Sequence, residues 1–425
     1  METQKKKINE FFISLSLGFF LAFRQVRRSS KATTALIIFV MTLTFLNLVV
    51  VRGVLVGLIE GSVLVYREYS TGEVFISKLP KKSYIESSPD VLKKIQGLPW
   101  VRTYSARYLE SGTIEAGYKS RINLTDAANS AGGVIAGINP INEEATTNLS
   151  TKIVEGSFLG PNDTEYVVLG SSLLKKYVPV ESASFSFLEN VGIGDKVRIS
   201  VGGNTKEFIV KGVVQSKADE VDFRAYVLDS VLRNMIGRTD YNVDEVAIKL
   251  VPGTDPNLVR DSLLRAGVGE TARVQTADDA LPKFIIDIKN TFTILGNVVG
   301  SIGLVVASIT IFIVIFVNAI TRRKFIGILK GIGISARAIE IAYIFQSLFY
   351  AVLGIGIGLI ILYGFLVPFI AANPIKFPFS DGILVAEPSA TFFRVFMLMF
   401  ATLVAGFVPA RIVVKKNTLD SILGR

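Results

Sequence analysis

The sequence predicts an α-helical membrane protein with four transmembrane helices, arranged one plus three, and a large mixed α/β extracytoplasmic domain inserted between helices 1 and 2. Three observations predict it. Half of the 425 residues are hydrophobic and the mean hydropathy is +0.48, more apolar than an ordinary soluble domain. The apolar residues concentrate in four stretches of about 20 residues or more, the length that crosses ~30 Å of hydrocarbon. The net charge of +10 lies beside those stretches, whereas residues 60–290 carry 27 Lys and Arg against 30 Asp and Glu.

Residues 1–31 contain FFISLSLGFFLAF followed by RQVRR, apolar residues broken by serine with no small-residue cleavage pattern. They predict an interfacial amphipathic helix on the cytoplasmic side, its aromatic residues among lipid headgroups and its basic cluster on anionic lipid. Transmembrane helix 1 covers 32–59 and transmembrane helix 2 covers 291–320. A basic cytoplasmic segment, 321–338, precedes helix 3 at 339–370. An extracytoplasmic loop at 371–390 leads to helix 4 at 391–414 and a cytoplasmic tail at 415–425. Orientation follows from Lys5, Lys6, Lys7, Arg24, Arg27, Arg28 and Lys31 before helix 1, Arg322, Arg323, Lys324, Lys330 and Arg337 between helices 2 and 3, and Lys415, Lys416 and Arg425 at the end. Cationic flanks stay in the cytoplasm, so both termini are expected there, in a multi-pass protein of the plasma (inner) membrane.

Within 60–290, alternating runs such as EYVVLG, DKVRISV, KEFIVKGVVQ, RAYVLD and DEVAIKLV read as strands. PDVLKKIQGL, GSSLLKKYV and NLVRDSLLRAG read as helices. The residue count suffices for two lobes, a strand-rich one from about Gly133 to Leu228 and a second assembled from about 72–130 and 240–280. Leu55–Tyr69 and Ala280–Asn290 read as helical stalks that continue the first two spans.

The composition excludes several chemistries. With no cysteine and no histidine there are no disulfides, thiol nucleophiles or imidazole ligands, and a hydrolase lacks its usual base. The spans hold no Asp or Glu in their interiors, since Glu60, Asp287 and Glu340 stand at ends and Asp381 and Glu387 in the last loop; an ion-coupled transporter would need such groups. Gln346, Asn47, Asn297 and Asn318 are expected to join helices, and Gly354, Gly356 and Gly358 to allow close packing. Arg52 is expected at the outer interface. GIGIG is not a phosphate loop, because no Gly-Lys dipeptide occurs. The chain itself is therefore expected to bind no cofactor or metal and to carry no catalytic residue, and nothing in it points to nucleic acid.

The segment TRRKFIGILKGIGISARAIEIAYIFQSLFYAVLGIGIG, Thr321 to Gly358, resembles the FtsX-like permease family, the membrane subunits of macrolide-exporter and lipoprotein-release (type VII, mechanotransmission) ABC transporters. The family's basic pair, its "I-G-x-L/R-(K/R)-A-x-G-(A/I)-S" helix and the polar residue entering the third span correspond here to Arg322, Arg323, Ile326, Gly327, Leu329, Lys330, Gly333, Ser335 and Gln346. Gly331 stands where alanine is usual, and Gln346 where glutamate is usual. LAFRQVRRSSKATTALIIFVMTL, VPARIVVKKNTLDSILGR and the outer run VEGSFLGPNDTEYVVLGSSLLKKY are similar to the family's beginning, end and outer domain.

The resemblance implies that Arg322 to Ser335 is a coupling helix, with Phe325, Ile326, Leu329 and Ile332 on one side and Arg323, Lys324 and Lys330 near the other, docked in a groove of a separate ABC ATPase. The ATPase dimer would hold ATP and Mg. A second permease copy or paralogue and an extracytoplasmic accessory protein are implied too, with the lipid bilayer as solvent. The function implied is transmission of ATP-driven motion to the outer domain for export or release of a substrate. The alternative is a membrane scaffold that regulates a cell-envelope enzyme through the same motion.

Overall fold

The computed structural model describes residues 2–119, 128–178, 186–373, 375–377, 380–382 and 384–415. The chain begins with helices α1 (Glu2–Arg28) and α2 (Lys31–Tyr66), the latter continuing as a π turn over Arg67–Thr71. There follow β1 (Val74–Lys78), α3 (Ser88–Gln96), β2 (Val101–Ala116), β3 (Ser130–Ile138), α4 (Pro140–Thr147), β4 (Ile153–Gly156), β5 (Tyr166–Gly170), β6 (Lys196–Val201) and β7 (Asn204–Val214). Next come α5 (Asp219–Asp222), β8 (Arg224–Leu228), α6 (Asp229–Ile236), β9 (Glu245–Leu250), α7 (Pro256–Arg265) and β10 (Ala272–Thr276). The C-terminal part holds α8 (Lys283–Thr321), α9 (Arg323–Gly331), α10 (Ala336–Ile361) with a π turn at Leu362–Leu366, α11 (Val367–Ala372), the short strands β11 (Ile375–Phe377) and β12 (Ser380–Gly382), and α12 (Pro388–Val414).

Two units result, one of Met1–Leu58, Asp287–Ile375 and Gly382–Arg425, the other of Ile59–Ile286 and Lys376–Asp381. Four helical stretches, Lys31–Thr71, Lys283–Thr321, Ala336–Ala372 and Pro388–Val414, are long and apolar enough to cross a membrane. The first unit is organised on α10, against which α1, α2 and α12 pack. Small residues permit this closeness. A Cβ on Gly354 would stand 2.5 Å from Met41 Cβ, and one on Gly358 would collide with the Phe45 ring, so α10 and α2 approach through their glycines. Thr42 Oγ1 adds a 3.1 Å hydrogen bond to the Gly354 carbonyl. Gly406 of α12 likewise lies against Ser347. Much of α8, by contrast, exposes Ile294, Val298, Ile302, Ile309 and Ile313, a lipid-suited surface on a helix that is apolar nearly all round.

In the second unit the strands form one ten-stranded sheet in the order β10-β1-β9-β2-β3-β8-β5-β7-β4, with β6 joined to β2 and β7. The two expected halves share β2. Its residues Val101–Arg107 pair with β9, while Tyr108–Glu115 pair with β3, so a 16-residue strand belongs to both. Val and Ile at alternate positions of β6 and β7 supply buried side chains such as Val197, Ile199, Phe208 and Val210. The run GSSLLKKYV is not an α-helix: it forms two 3-10 turns, Ser171–Leu173 and Lys175–Tyr177. Leu173 and Leu174 are both buried and Leu174 bridges Leu188, which a continuous helix would not allow.

Candidate functional site

Residues 321–338 do not form the single helix expected of them. After nine residues α9 stops at Gly333, whose φ of +92° is the left-handed conformation that favours glycine. Gly333 N donates to Lys330 O at 3.1 Å and Ile334 N to Leu329 O at 3.0 Å, the paired bonds of a Schellman stop. Ser335 then begins α10, its Oγ accepting from Ala338 N at 3.3 Å. Gly333 and Ser335 are thus turn and cap residues, and α9 alone is the helical part.

The expected apolar side also divides in two. Ile326, Gly327 and Leu329 are buried, whereas Phe325 and Ile332 are exposed, and so is Ile328, which sequence reasoning did not single out. Phe325, Ile328 and Ile332 follow three-and-four spacing and share one stripe. Lys324 is exposed beside them, and Arg322, Arg323 and Lys330 are half-buried. Lys330 Nζ donates at 2.9 Å to the Val414 carbonyl at the end of α12, a favourable place for a cation. Next to the turn lies a recess of about 670 Å³ lined by Ile13 and Leu17 of α1, Ile332, Ser335, Arg337 and Arg411.

Gln346 is fully buried on α10; its Nε2 donates to the Tyr350 hydroxyl at 3.0 Å, and its Oε1 has no partner. Ser14, Gly18 and Ala22 of α1 face α10: Ser14 Oγ lies 3.4 Å from Ser335 Oγ, and a Cβ on Gly18 would stand 2.5 Å from Ile341 Cγ2. The serine that seemed to interrupt an amphipathic helix belongs to a small-residue stripe at four-residue spacing, and that spacing was the available signal. Phe19 of the same helix meets Phe345 edge-on at 5.5 Å between centroids.

A second constellation sits where α2 ends within the β-sheet unit. Arg107 of β2 is 2% exposed. It donates from Nε and Nη2 to Glu143 of α4 at 2.8 and 2.6 Å, and from Nη1 to Glu245 of β9 and to the Ser70 carbonyl, both at 2.8 Å. Arg224 of β8 donates to Glu245 at 2.6 and 3.2 Å. Ser105 and Thr147 complete the shell of Glu143 at 2.7 and 2.8 Å. Burial opposes ionisation of both acids, yet the Arg224 and Arg107 guanidiniums bring Glu245 down to about 2 and Arg107 holds Glu143 below the usual carboxylate range. Burial likewise opposes the Arg107 charge, but Glu143 and Glu245 keep it above its ordinary value. The cluster is fully paired, so it fastens the π turn, strand and helix together and leaves no free acid or base for chemistry. Nothing in the sequence marks it, because charged residues on strands ordinarily face water.

Residues 297–418 match the family model of the FtsX-like permease C-terminal domain. An uncharacterised ABC transporter permease of Methanocaldococcus jannaschii is 25% identical over 281 residues, 64% of this chain. The match spans 65% of that relative, slightly under two thirds of its length. Among solved structures, the periplasmic region of MacB from Actinobacillus actinomycetemcomitans is 16% identical, covering 50% of this chain and 92% of that one with a TM-score of 0.35. The extracellular domain of the noncanonic ABC-type transporter YknZ from Gram-positive bacteria is also 16% identical, covering 48% and 99% with a TM-score of 0.30.

Proposed function

We propose that this chain, whose residues 297–418 match the FtsX-like permease C-terminal domain, is an ABC transporter permease that acts as a lever: a cytoplasmic ATPase dimer drives it, and its outer domain delivers the movement to a substrate being exported or released. The observation that carries this reading is the exposed apolar stripe of Phe325, Ile328 and Ile332 on a short helix whose other face is packed. An anchored helix with an unpartnered stripe and adjoining cations suits a groove on a partner. ATP and Mg belong to the partner, and this chain performs no covalent step. With both termini cytoplasmic, α9 lies on the ATPase side, and ATP-driven closure pushes it and tilts α8 and α10.

The movement then travels along α2 and α8. From Lys31 to Thr71 the helical path has 41 residues, about 60 Å at 1.5 Å per residue and twice the hydrocarbon thickness, so part of it projects as a stalk. A second copy or a paralogue supplies the other lever.

Phe325→Glu with Ile328→Glu tests the reading. The intact chain should co-purify with its ATPase and alter its rate of ATP hydrolysis, and the double variant should lose both effects while eluting normally. An intact chain that binds no ATPase, or a double variant that still couples, overturns it.

A further inference from the structure

We propose that Arg52 and Arg394 together bind the phosphate-bearing headgroup of a lipid in the leaflet opposite the basic start of α2. The inference rests on membrane insertion of the four helices, and is independent of the ATPase.

Arg52 follows Lys31 by 21 residues on one unbroken helix, about 32 Å along its axis, which is the thickness of the hydrocarbon core. Arg394 is six residues into α12, about 9 Å from that helix's first residue. A hydrogen bond brings these levels together, and a second fixes the start of α12. Val385 N, just before α12, donates to the Gly53 carbonyl at 3.2 Å. The Tyr363 hydroxyl donates to Ala386 O at 3.0 Å and lies 3.1 Å from Thr391 Oγ1, one turn before Arg394. Arg52 also packs its side-chain carbons against Gly296 of α8.

These contacts set the two cations at one level of the helical unit. Arg394 is 8% exposed, and the buried Nε of Arg52 has no partner. Among the described residues no carboxylate pairs with either guanidinium, and Glu387, the acid nearest in sequence to Arg394, is exposed. Two like charges withdrawn from water without a counter-ion are unfavourable. An anion between them removes the repulsion, and phosphate matches the planar, two-pronged donor geometry of arginine.

The surroundings identify the anion's carrier. Phe392, Phe393 and Phe396 are exposed on the outward faces of α12 at the level of Arg394, an aromatic surface of the kind found at the hydrocarbon boundary. Both arginines thus stand at the depth of a headgroup phosphate, whose acyl chains reach into the hydrocarbon beside the helices, whereas a soluble ion has no such anchorage. Binding there ties α2 to α12 through the lipid, so the lipid steadies the end of the first span.

The test uses the purified full-length chain without any ATPase, in detergent, with lipid retention read by native mass spectrometry. Phosphatidylglycerol, phosphatidylcholine and inorganic phosphate are the probes. Wild type should retain one phosphatidylglycerol in preference to phosphatidylcholine. Arg52→Gln and Arg394→Gln should each weaken that retention by about tenfold, the loss of a charge-assisted bond. Arg394→Lys, which keeps the charge, should lose less, and it serves the test if the glutamine variants misfold. Equal retention by wild type and both glutamine variants overturns the proposal. So does stabilisation of lipid-free protein by inorganic phosphate equal to that by lipid, since a soluble ion would then be the occupant. Neither result bears on the coupling assay, which needs the ATPase.

Discussion

Arg107 Nη1 donates a 2.8 Å hydrogen bond to the carbonyl oxygen of Ser70, four residues after the end of α2 at Tyr66. The same guanidinium holds Glu143 and Glu245, so the arginine clasps the end of the stalk to a helix and to the strands of both halves of the sheet. Gly72, two residues on, has a φ of +67°, and a Cβ there would strike the Ile248 carbonyl. The end of the helical path from α2 is therefore held inside the β-sheet unit by a tight crossing of backbone and one buried cation.

Arg107→Ala should destabilise the β-sheet unit by about 3–5 kcal/mol, because it leaves two carboxylates buried without their partner. The chain's single tryptophan, Trp100, lies in this unit at 36% exposure, so denaturant unfolding of the intact protein followed by its fluorescence reports on this unit. A midpoint unchanged from wild type would show that the cluster contributes nothing to holding the unit. Removing the exposed pair Lys82–Glu86 should leave that midpoint where it was.

The glycines of α10 make opposite expectations at neighbouring positions. Gly358→Val should cost about 1–3 kcal/mol, since the added atoms meet the Phe45 ring in a filled interface. Gly356→Ala, where a Cβ meets nothing within 4 Å, should be neutral or slightly stabilising. Thermal unfolding of the two variants in one detergent compares them. Equal melting temperatures would mean that α2 and α10 do not pack through Gly358.

Gly18→Val should loosen α1 from α10, because the new side chain enters the space held by Ile341 and the Ala338 carbonyl. Arg24, Arg27 and Arg28 are exposed on this helix, and trypsin should cut there at least several-fold faster in the variant than in wild type. The same rate in both would show that α1 is held by something other than its small-residue stripe.

These residues also show how far the sequence could be read. The four long apolar helices were legible because hydropathy accumulates over 20 residues and survives any local irregularity, and most strands because alternation of Val and Ile with polar residues states which face is covered. Gly354 and Gly358 were legible as packing residues, since glycine in an apolar helix has few other uses. The division of 321–338 was missed although its signal, Gly333 followed by Ser335, was present; the apolar period runs through the turn and hides the stop. Choosing Leu329 as a docking residue from that period selected the packed face. The Arg107 cluster and the convergence of Arg52 on Arg394 were beyond reach, because each joins residues distant in sequence, Arg107 and Glu245 by 138 positions, through tertiary structure alone.

The dependence of stability on pH follows from Asp222. Burial pushes its carboxyl up to about 6, although Ser216 and Lys217 donate to it. Partial desolvation also raises Asp219 and Glu220 on the same short helix, although both side chains stay exposed. A carboxyl whose folded pKa is raised stabilises the protein below its unfolded value, and that contribution is lost as pH rises through the folded value. From pH 5 to pH 8 Asp222 alone should therefore cost on the order of 1 kcal/mol. Glu245 has the opposite sign, but at about 2 it loses its contribution only in stronger acid, so it is silent in this window. The chain has no histidine and no cysteine, which removes the side chains that ordinarily titrate between these limits. Trp100 fluorescence should show the denaturation midpoint falling from pH 5 to pH 8 in wild type and a flatter profile in Asp222→Asn. A parallel fall in the variant would assign the dependence to Asp219 and Glu220 instead, whereas a rise in wild type would contradict the sign for all three.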